Sequence, residues 1–276
     1  MLILRMSISN KEEMQHKPTI IVDNLSIGYA SRHGSCHAVG QQLRAEAYAG
    51  TLTCLIGRNG TGKSTLLRTI ARLQAPLDGH VLICGHDANS YSTSEMARLL
   101  GIVLTSRPDV SNLTVRELVA LGRAPYTGFW GKLADEDSRI VDESMRRAGI
   151  SGMEQRRVRS LSDGECQKAM VAKALAQQTP IILLDEPTAF LDYPGKIDLL
   201  LLLRQLAHDE GKTILLSTHD IDTALQIADR LWLLDSNGIS AGTTGELAAE
   251  GMIERYVGRD DVVMENGRLV LKKSTL

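Results

Sequence analysis

Eight consecutive residues, Gly57-Arg58-Asn59-Gly60-Thr61-Gly62-Lys63-Ser64, constrain this chain more than any other stretch. They fit G-x-x-x-x-G-K-[ST], a loop that carries meaning only between a strand and a helix. Both flanks are present. Leu52 to Ile56 is an apolar, strand-like run, and Thr65 to Leu73 has a helical pattern. The glycines let backbone N–H groups turn inward around an anion, and the positive end of the helix faces the same spot. Lys63 can then reach the β- and γ-phosphates, Ser64 can ligate Mg²⁺, and Thr65 completes the candidate phosphate-binding set.

The second half of such a site lies downstream. Ile181-Ile182-Leu183-Leu184-Asp185-Glu186 predicts a parallel strand buried on both faces, because the apolar run is continuous rather than alternating. Open α/β sheets bind ligands at the C-terminal ends of their strands. There Asp185 can hold the metal, and Glu186 can accept a hydrogen bond from an attacking water. Together the two motifs imply nucleotide hydrolysis with Mg²⁺.

Leu161-Ser162-Asp163-Gly164-Glu165 precedes that strand by one helix, expected over Cys166 to Gln177. Ser162 and Glu165 have the S-x-x-E spacing of a capping box, so the stretch could be a helix start alone. It also resembles the LSGGQ signature of ATP-binding cassette (ABC) ATPases, here as LSDGE. Gly164 leaves room for backbone to approach phosphate, while Ser162 offers a hydroxyl and the helix its N-terminal dipole.

The resemblance extends from about Ile20 to about Asp235. It implies that Tyr29 stacks on adenine and that Ala189-Phe190-Leu191-Asp192 is the D-loop. It also implies that Ser217-Thr218-His219-Asp220 is the switch-histidine loop, with His219 catalytic beside Glu186 and Lys63. In that family two subunits sandwich two ATP molecules, each phosphate loop facing the other subunit's signature. Ser162, Gly164 and Asp192 would thus complete the site of a second copy.

Composition agrees with this reading. A chain of 276 residues can bury a full α/β core. A net charge of -2 and a pI near 6.4 argue against a nucleic-acid partner. The basic stretch Arg146 to Arg159 reads as a solvated face. The cysteines, Cys36, Cys54, Cys84 and Cys166, have no C-x-x-C or zinc spacing, and Cys54 and Cys84 lie in apolar runs expected in the core. No signal peptide is evident. The longest leucine run, Leu199 to Leu203, is far short of the roughly 18 apolar residues of a membrane span.

The expected architecture is an α/β P-loop NTPase core with a mostly parallel sheet, a small antiparallel β layer and an inserted helical subdomain. Residues 1–18 form a flexible N-terminal segment, 19–104 and 162–236 the nucleotide-binding core, 105–161 the helical subdomain, and 237–276 a C-terminal extension. Thr19 to Ala49 supplies the antiparallel strands, and a hairpin is expected around Asp78-Gly79. Helices are expected over Ser92 to Leu100, Val115 to Leu121 and Glu136 to Arg147. Val115, Leu118 and Leu121 would form the buried stripe of the second of these. Val262 to Met264 and Leu269 to Leu271 suggest a terminal hairpin.

Within the family, Leu113 to Tyr126 and the Asp163, Gln167-Lys168 pattern resemble the importer ATPases serving iron–siderophore, haem and cobalamin uptake. That resemblance implies a separate integral-membrane permease, an extracytoplasmic substrate-binding protein, and a peripheral position on the cytoplasmic face of the inner membrane. A soluble single-cassette ATPase of cofactor or protein-complex assembly is the alternative. One departure stands out. The family places a glutamine after the strand entering the helical subdomain, but no glutamine occurs between Gln74 and Gln155. Thr105 takes that position, or Ser106 if the register slips by one. A threonine hydroxyl is shorter, so contact with Mg²⁺ through a water is expected.

Overall fold

The computed structural model describes residues 17–30, 36–106, 110, 112–128, 131–259, 261–265 and 267–271. The segment Met1 to Lys17, expected to be frayed, lies outside this set apart from Lys17. Strands β1 (Pro18–Ala30), β2 (Cys36–Tyr48), β4 (Asp78–Ile83) and β5 (His86–Asp87) form an antiparallel four-stranded layer in the order β2-β1-β4-β5. Strands β3 (Leu52–Gly57), β6 (Leu100–Val103), β7 (Ile181–Asp185), β8 (Thr213–Thr218), β9 (Arg230–Asp235) and β10 (Gly238–Thr243) form a second sheet. Its order is β10-β9-β3-β8-β7-β6, parallel throughout except that β10 runs antiparallel to β9.

The helices are α1 (Lys63–Ile70), α2 (Thr93–Leu99), α3 (Val115–Ala120), α4 (Asp135–Arg147), α5 (Asp163–Ala176), α6 (Tyr193–His208), α7 (Ile221–Ile227), α8 (Thr244–Ala249) and α9 (Met252–Val257). Continuous apolar strands place side chains on both faces of the parallel sheet, and each face has its own cover. Cys54, Leu184 and Leu216 pack with α6 leucines and with Leu247 and Ile253 of the C-terminal helices. Leu55, Leu183 and Leu215 pack with Leu66 and Leu67 of α1 and with the antiparallel layer. Each fully buried leucine contributes roughly 1.5–3 kcal/mol. Trp232 Nε1 donates to Glu46 O at 3.2 Å, which ties the two sheets together. A third cluster joins Val115, Val119, Val141 and Met145 to Ala169 and Ala172 of α5, so the 112–161 region rests on the signature helix.

Three expectations are corrected. Asp78 opens β4 opposite Ser26 rather than turning a hairpin. Gly79 (φ 80°) is needed because a Cβ there would lie 2.2 Å from Asn24 O. The hairpin turn falls at Cys84-Gly85, with φ of 50° and 83°, the left-handed pair that type I′ turns demand. Cys84 is therefore exposed rather than a core residue, whereas Cys54 and Cys166 are buried. Leu121 is 45% exposed and leaves the buried stripe of α3, which Val119 joins instead. The helix tightens into a 3₁₀ turn over Leu121–Arg123, where Gly122 presses on Lys173 O of α5 and turns Leu121 outward.

In the basic stretch, Arg146 and Arg159 are exposed as expected. Arg147 is drawn to Glu210 at 2.5 Å and Arg156 to Glu165 at 2.6 Å. The terminal strands β11 (Val262–Glu265) and β12 (Arg268–Leu271) pair antiparallel where the hairpin was expected.

Candidate functional site

Parallel pairing sets the ends of β3, β7 and β8 side by side. Ile56 lies opposite Thr218, and Asp185 lies opposite Ser217. The loop 57–64 leaves β3 at this edge, with Arg58, Asn59 and Gly60 exposed. Gly60 and Gly62 have φ of 83° and 100°, and a Cβ on Gly62 would lie 2.6 Å from Val39 Cγ1. The Thr61 hydroxyl donates back to Arg58 O at 2.9 Å.

Helix α1 starts at Gly62 with no side-chain cap and no acid in its first turn. Helices α2, α3, α5 and α8 all carry capping boxes instead. The first-turn N–H groups of α1 are thus left for an anion.

Charge is concentrated behind that loop. Lys63 is 5% exposed, and its Nζ donates to Gly57 O at 2.8 Å. The same ammonium lies 3.4 Å from Glu186 Oε1, and His219 Nδ1 lies 3.3 Å from Glu186 Oε2. Lys63, Glu186 and His219, predicted from three separate segments, therefore form one chain of polar contacts. Glu186 takes a left-handed backbone (φ 46°), a strained conformation for a non-glycine residue of the kind that clusters at functional sites.

Asp185 is buried. Its Oδ1 accepts from Ser217 Oγ at 2.8 Å, and Ser217 Oγ in turn accepts from Glu186 N at 2.9 Å. One serine therefore fixes both acids. The resemblance places Ser217 in the switch-histidine loop but misses this role, which the β7–β8 register reveals.

The other Asp185 oxygen makes no hydrogen bond among the described residues, and half-buried Ser64 lies beside Lys63 on the loop. Among the described residues, no group of three or more His, Cys, Asp or Glu could hold a metal alone. One free carboxylate oxygen and a hydroxyl suit a Mg²⁺ ion that is shared with phosphates. The Thr105 hydroxyl donates to Asp185 O at 2.9 Å, which holds the 105–106 segment against the same strand end.

Tyr29 is 52% exposed, and its hydroxyl lies 3.1 Å from Thr65 Oγ1, so its ring stands beside the loop's helix. The alternative reading of Ser162 also holds. Its Oγ accepts from Glu165 N at 3.2 Å, and Glu165 Oε2 accepts from Ser162 N at 2.8 Å. The hydroxyl hydrogen of Ser162 remains able to donate.

Gly164 lets α5 approach the segment after β7, since a Cβ there would lie 2.9 Å from Phe190 O. Asp192 caps α6, accepting from Gly195 N at 3.1 Å. No hydrogen bond or ion pair among the described residues links Ser162 or Gly164 to residues 57–64 of the same chain.

Arg156 grips Glu165 bidentately, at 2.6 and 3.1 Å, and holds its carboxyl down at about 2. A depressed carboxyl contributes stability that is present above its unfolded value and lost as pH falls through its folded value. Glu165→Gln keeps the cap but loses the ion pair. It is expected to lower unfolding free energy by roughly 0.5 kcal/mol at pH 7, a partly exposed pair being worth little. The deficit should shrink as pH drops from 4.5 towards 2 in urea titrations.

A phosphate loop, a Lys63–Glu186–His219 chain and a buried Asp185 at one edge of a parallel sheet define a P-loop nucleoside triphosphatase. The ABC transporter family model matches residues 41–189. An ABC transporter ATP-binding protein of Methanocaldococcus jannaschii is 40% identical, over 79% of this chain and 74% of that one. The ferric enterobactin transport ATP-binding protein of Escherichia coli is 37% identical, over 88% and 89%. A dimeric ATP-binding cassette solved after hydrolysis, bound to ADP and Pi, superposes with a TM-score of 0.73 at 26% identity, covering 81% of this chain and 98% of that one. The chain belongs to the ABC transporter family, and it is an ATP-binding ATPase.

Proposed function

We propose that this chain powers uptake of an iron–siderophore, haem or cobalamin-type substrate, as the ATPase of an importer. Its partners are a second copy of itself, a separate permease and, indirectly, an extracytoplasmic binding protein. It acts from the cytoplasmic face of the inner membrane. No described helix is long and apolar enough to cross a membrane.

The observation that carries the reading is an apolar groove of about 280 Å³ between α1, α2, β6 and α5, floored by Met96, Leu100 and Ile102. Leu73, 59% exposed, stands at its edge. Tyr126, whose hydroxyl donates to Gln177 O at 3.0 Å, brings the 121–126 segment to the same wall. The groove suits an amphipathic helix laid in from a membrane subunit. The similarity to a ferric enterobactin transport protein supports the substrate class.

In this mechanism Tyr29 stacks on the base, and the backbone of Gly57 to Gly62 with Thr65 cradles the phosphates. Lys63 neutralises charge on the β- and γ-oxygens. Ser64 and Asp185 would hold Mg²⁺, which neutralises developing charge on the phosphates, with Thr105 near it through a water. Glu186 orients the attacking water, and His219 fixes Glu186 and contacts the γ-phosphate. Ser162, Gly164 and Asp192 act on the nucleotide of the second copy. That no hydrogen bond or ion pair among the described residues links Ser162 or Gly164 to residues 57–64 supports that arrangement.

Leu73→Asp tests the docking. Tagged wild-type chain is expected to purify from detergent extracts with a polytopic membrane subunit, and cells are expected to take up ferric siderophore. Leu73→Asp should lose both by about tenfold or more, the effect of one buried charge at an interface, while ATP binding stays normal. Recovery of soluble partners only, with uptake unaffected, would sink the importer reading.

A further inference from the structure

Two glutamines, one inside helix α5 and one capping its C-terminus, have opposite fates. Gln177, at its C-terminal end, donates through Nε2 to Ala97 O at 2.6 Å and Leu100 O at 3.1 Å. Gln167, two residues past the signature, is 5% exposed, yet its Nε2 has no hydrogen-bond partner. A buried donor left unpaired is unfavourable, and native proteins seldom keep one without a use.

Gln167 lines a small cleft of about 110 Å³, shared with Thr105, Ser106, Met170 and Phe190. Three segments meet there: the link from β6 towards the helical region, the signature helix, and the loop after β7. Thr105 already donates its hydroxyl hydrogen to Asp185 O at 2.9 Å. Its oxygen can still accept. Gln167, which carries the unpaired donor, thus lies on one wall of the cleft, and Thr105, whose oxygen can still accept, on the other.

We propose that Gln167 is a positioning residue for hydrolysis. When the cleft narrows, its Nε2 donates to Thr105 Oγ1. This joins the signature helix to the strand end that carries Asp185 and Glu186. The amide touches no nucleotide. It acts through Thr105, so the state of Asp185 is felt by the helix whose first residues serve the partner copy. The unpaired donor in the open cleft is then retained for the closed one, in the way active sites give up local stability for function.

Gln167→Met is the informative variant, because it keeps the length and removes the unpaired donor. The thermal unfolding midpoint is expected to stay level or rise, and ATP affinity to stay within about 2-fold of wild type. ATP turnover is expected to fall by about 10-fold, within the usual span of coupling between two sites. Gln167→Glu, which when ionised accepts but cannot donate, is expected to lose turnover to the same extent.

A cycle with Thr105→Val adds a readout that a purely structural role would not move. The double variant is expected to match the worse single variant within about 2-fold, because both remove one link. Turnover near wild type in Gln167→Met overturns the proposal, and so do losses that multiply in the cycle. A Gln167→Met chain that unfolds overturns it too, since the amide would then be holding the native packing.

Discussion

Glu186→Gln is expected to lower ATP turnover by roughly 10²- to 10⁴-fold, the contribution of a positioned general base, while ATP still binds. The geometry makes this a clean substitution. The Gln oxygen can face Lys63 Nζ where Glu186 Oε1 now lies 3.4 Å away, and the Gln amide can face His219 Nδ1 where Oε2 now lies 3.3 Å away. A neutral imidazole accepts from that amide. Asp185 and Ser217, which hold each other at 2.8 Å, are untouched, so the proposed metal site survives. Only the charge that orients water is lost. ATP added to the variant should hold two copies together, seen as a shift to dimer in size-exclusion chromatography. Turnover close to wild type would remove Glu186 from its proposed role.

The parts legible in the sequence were those fixed by local chemistry. The loop 57–64 is read from glycines whose backbone angles only glycine adopts cheaply, and Gly60 and Gly62 do adopt them. The run Ile181 to Leu184 is apolar at every position because both faces are covered, and all of it is buried. Ser162 caps its helix through a side-chain bond to the helix's own first turn, so the S-x-x-E spacing sufficed to find it.

What escaped depended on distant partners. Asp78-Gly79 has the composition of a turn, yet its glycine answers to Asn24 on another strand, and Cys84-Gly85 makes the bend with a cysteine where Asn or Asp is usual. Leu121 fits a helical stripe that the 3₁₀ turn at Leu121–Arg123 breaks, because Gly122 is pressed against α5. Ser217 is an ordinary strand serine until β8 is laid beside β7, which sets it against Asp185. Gln167 looks like any helix glutamine until the packing around it is known. Local pattern does not encode these placements, because register and close approach are set by tertiary contacts.

Lys63→Ala is expected to weaken ATP binding and nearly abolish turnover. The ammonium is pinned by Gly57 O at 2.8 Å, Arg58 O at 3.4 Å and Glu186 at 3.4 Å. It thus sits poised behind the loop rather than free in solvent, and little side-chain freedom is left to lose when phosphate arrives. A hydrogen bond to a charged group is worth about 1.5–3 kcal/mol, so ATP affinity should fall roughly 10- to 150-fold. Turnover at saturating ATP should drop further, by about 10²- to 10³-fold, as when one preorganised donor to transition-state charge is removed. A second effect acts on the same site. Without the ammonium, Glu186, which is 22% exposed, keeps only His219 Nδ1, 3.3 Å away, of these two neighbours, so its carboxylate loses part of its orientation. Lys63→Arg should not rescue turnover, because a planar guanidinium cannot take the place of a compact ammonium against Gly57 O. Calorimetric ATP titration and single-turnover hydrolysis separate the two losses. Unchanged affinity in Lys63→Ala would show that the buried ammonium serves the loop alone and never meets the phosphates.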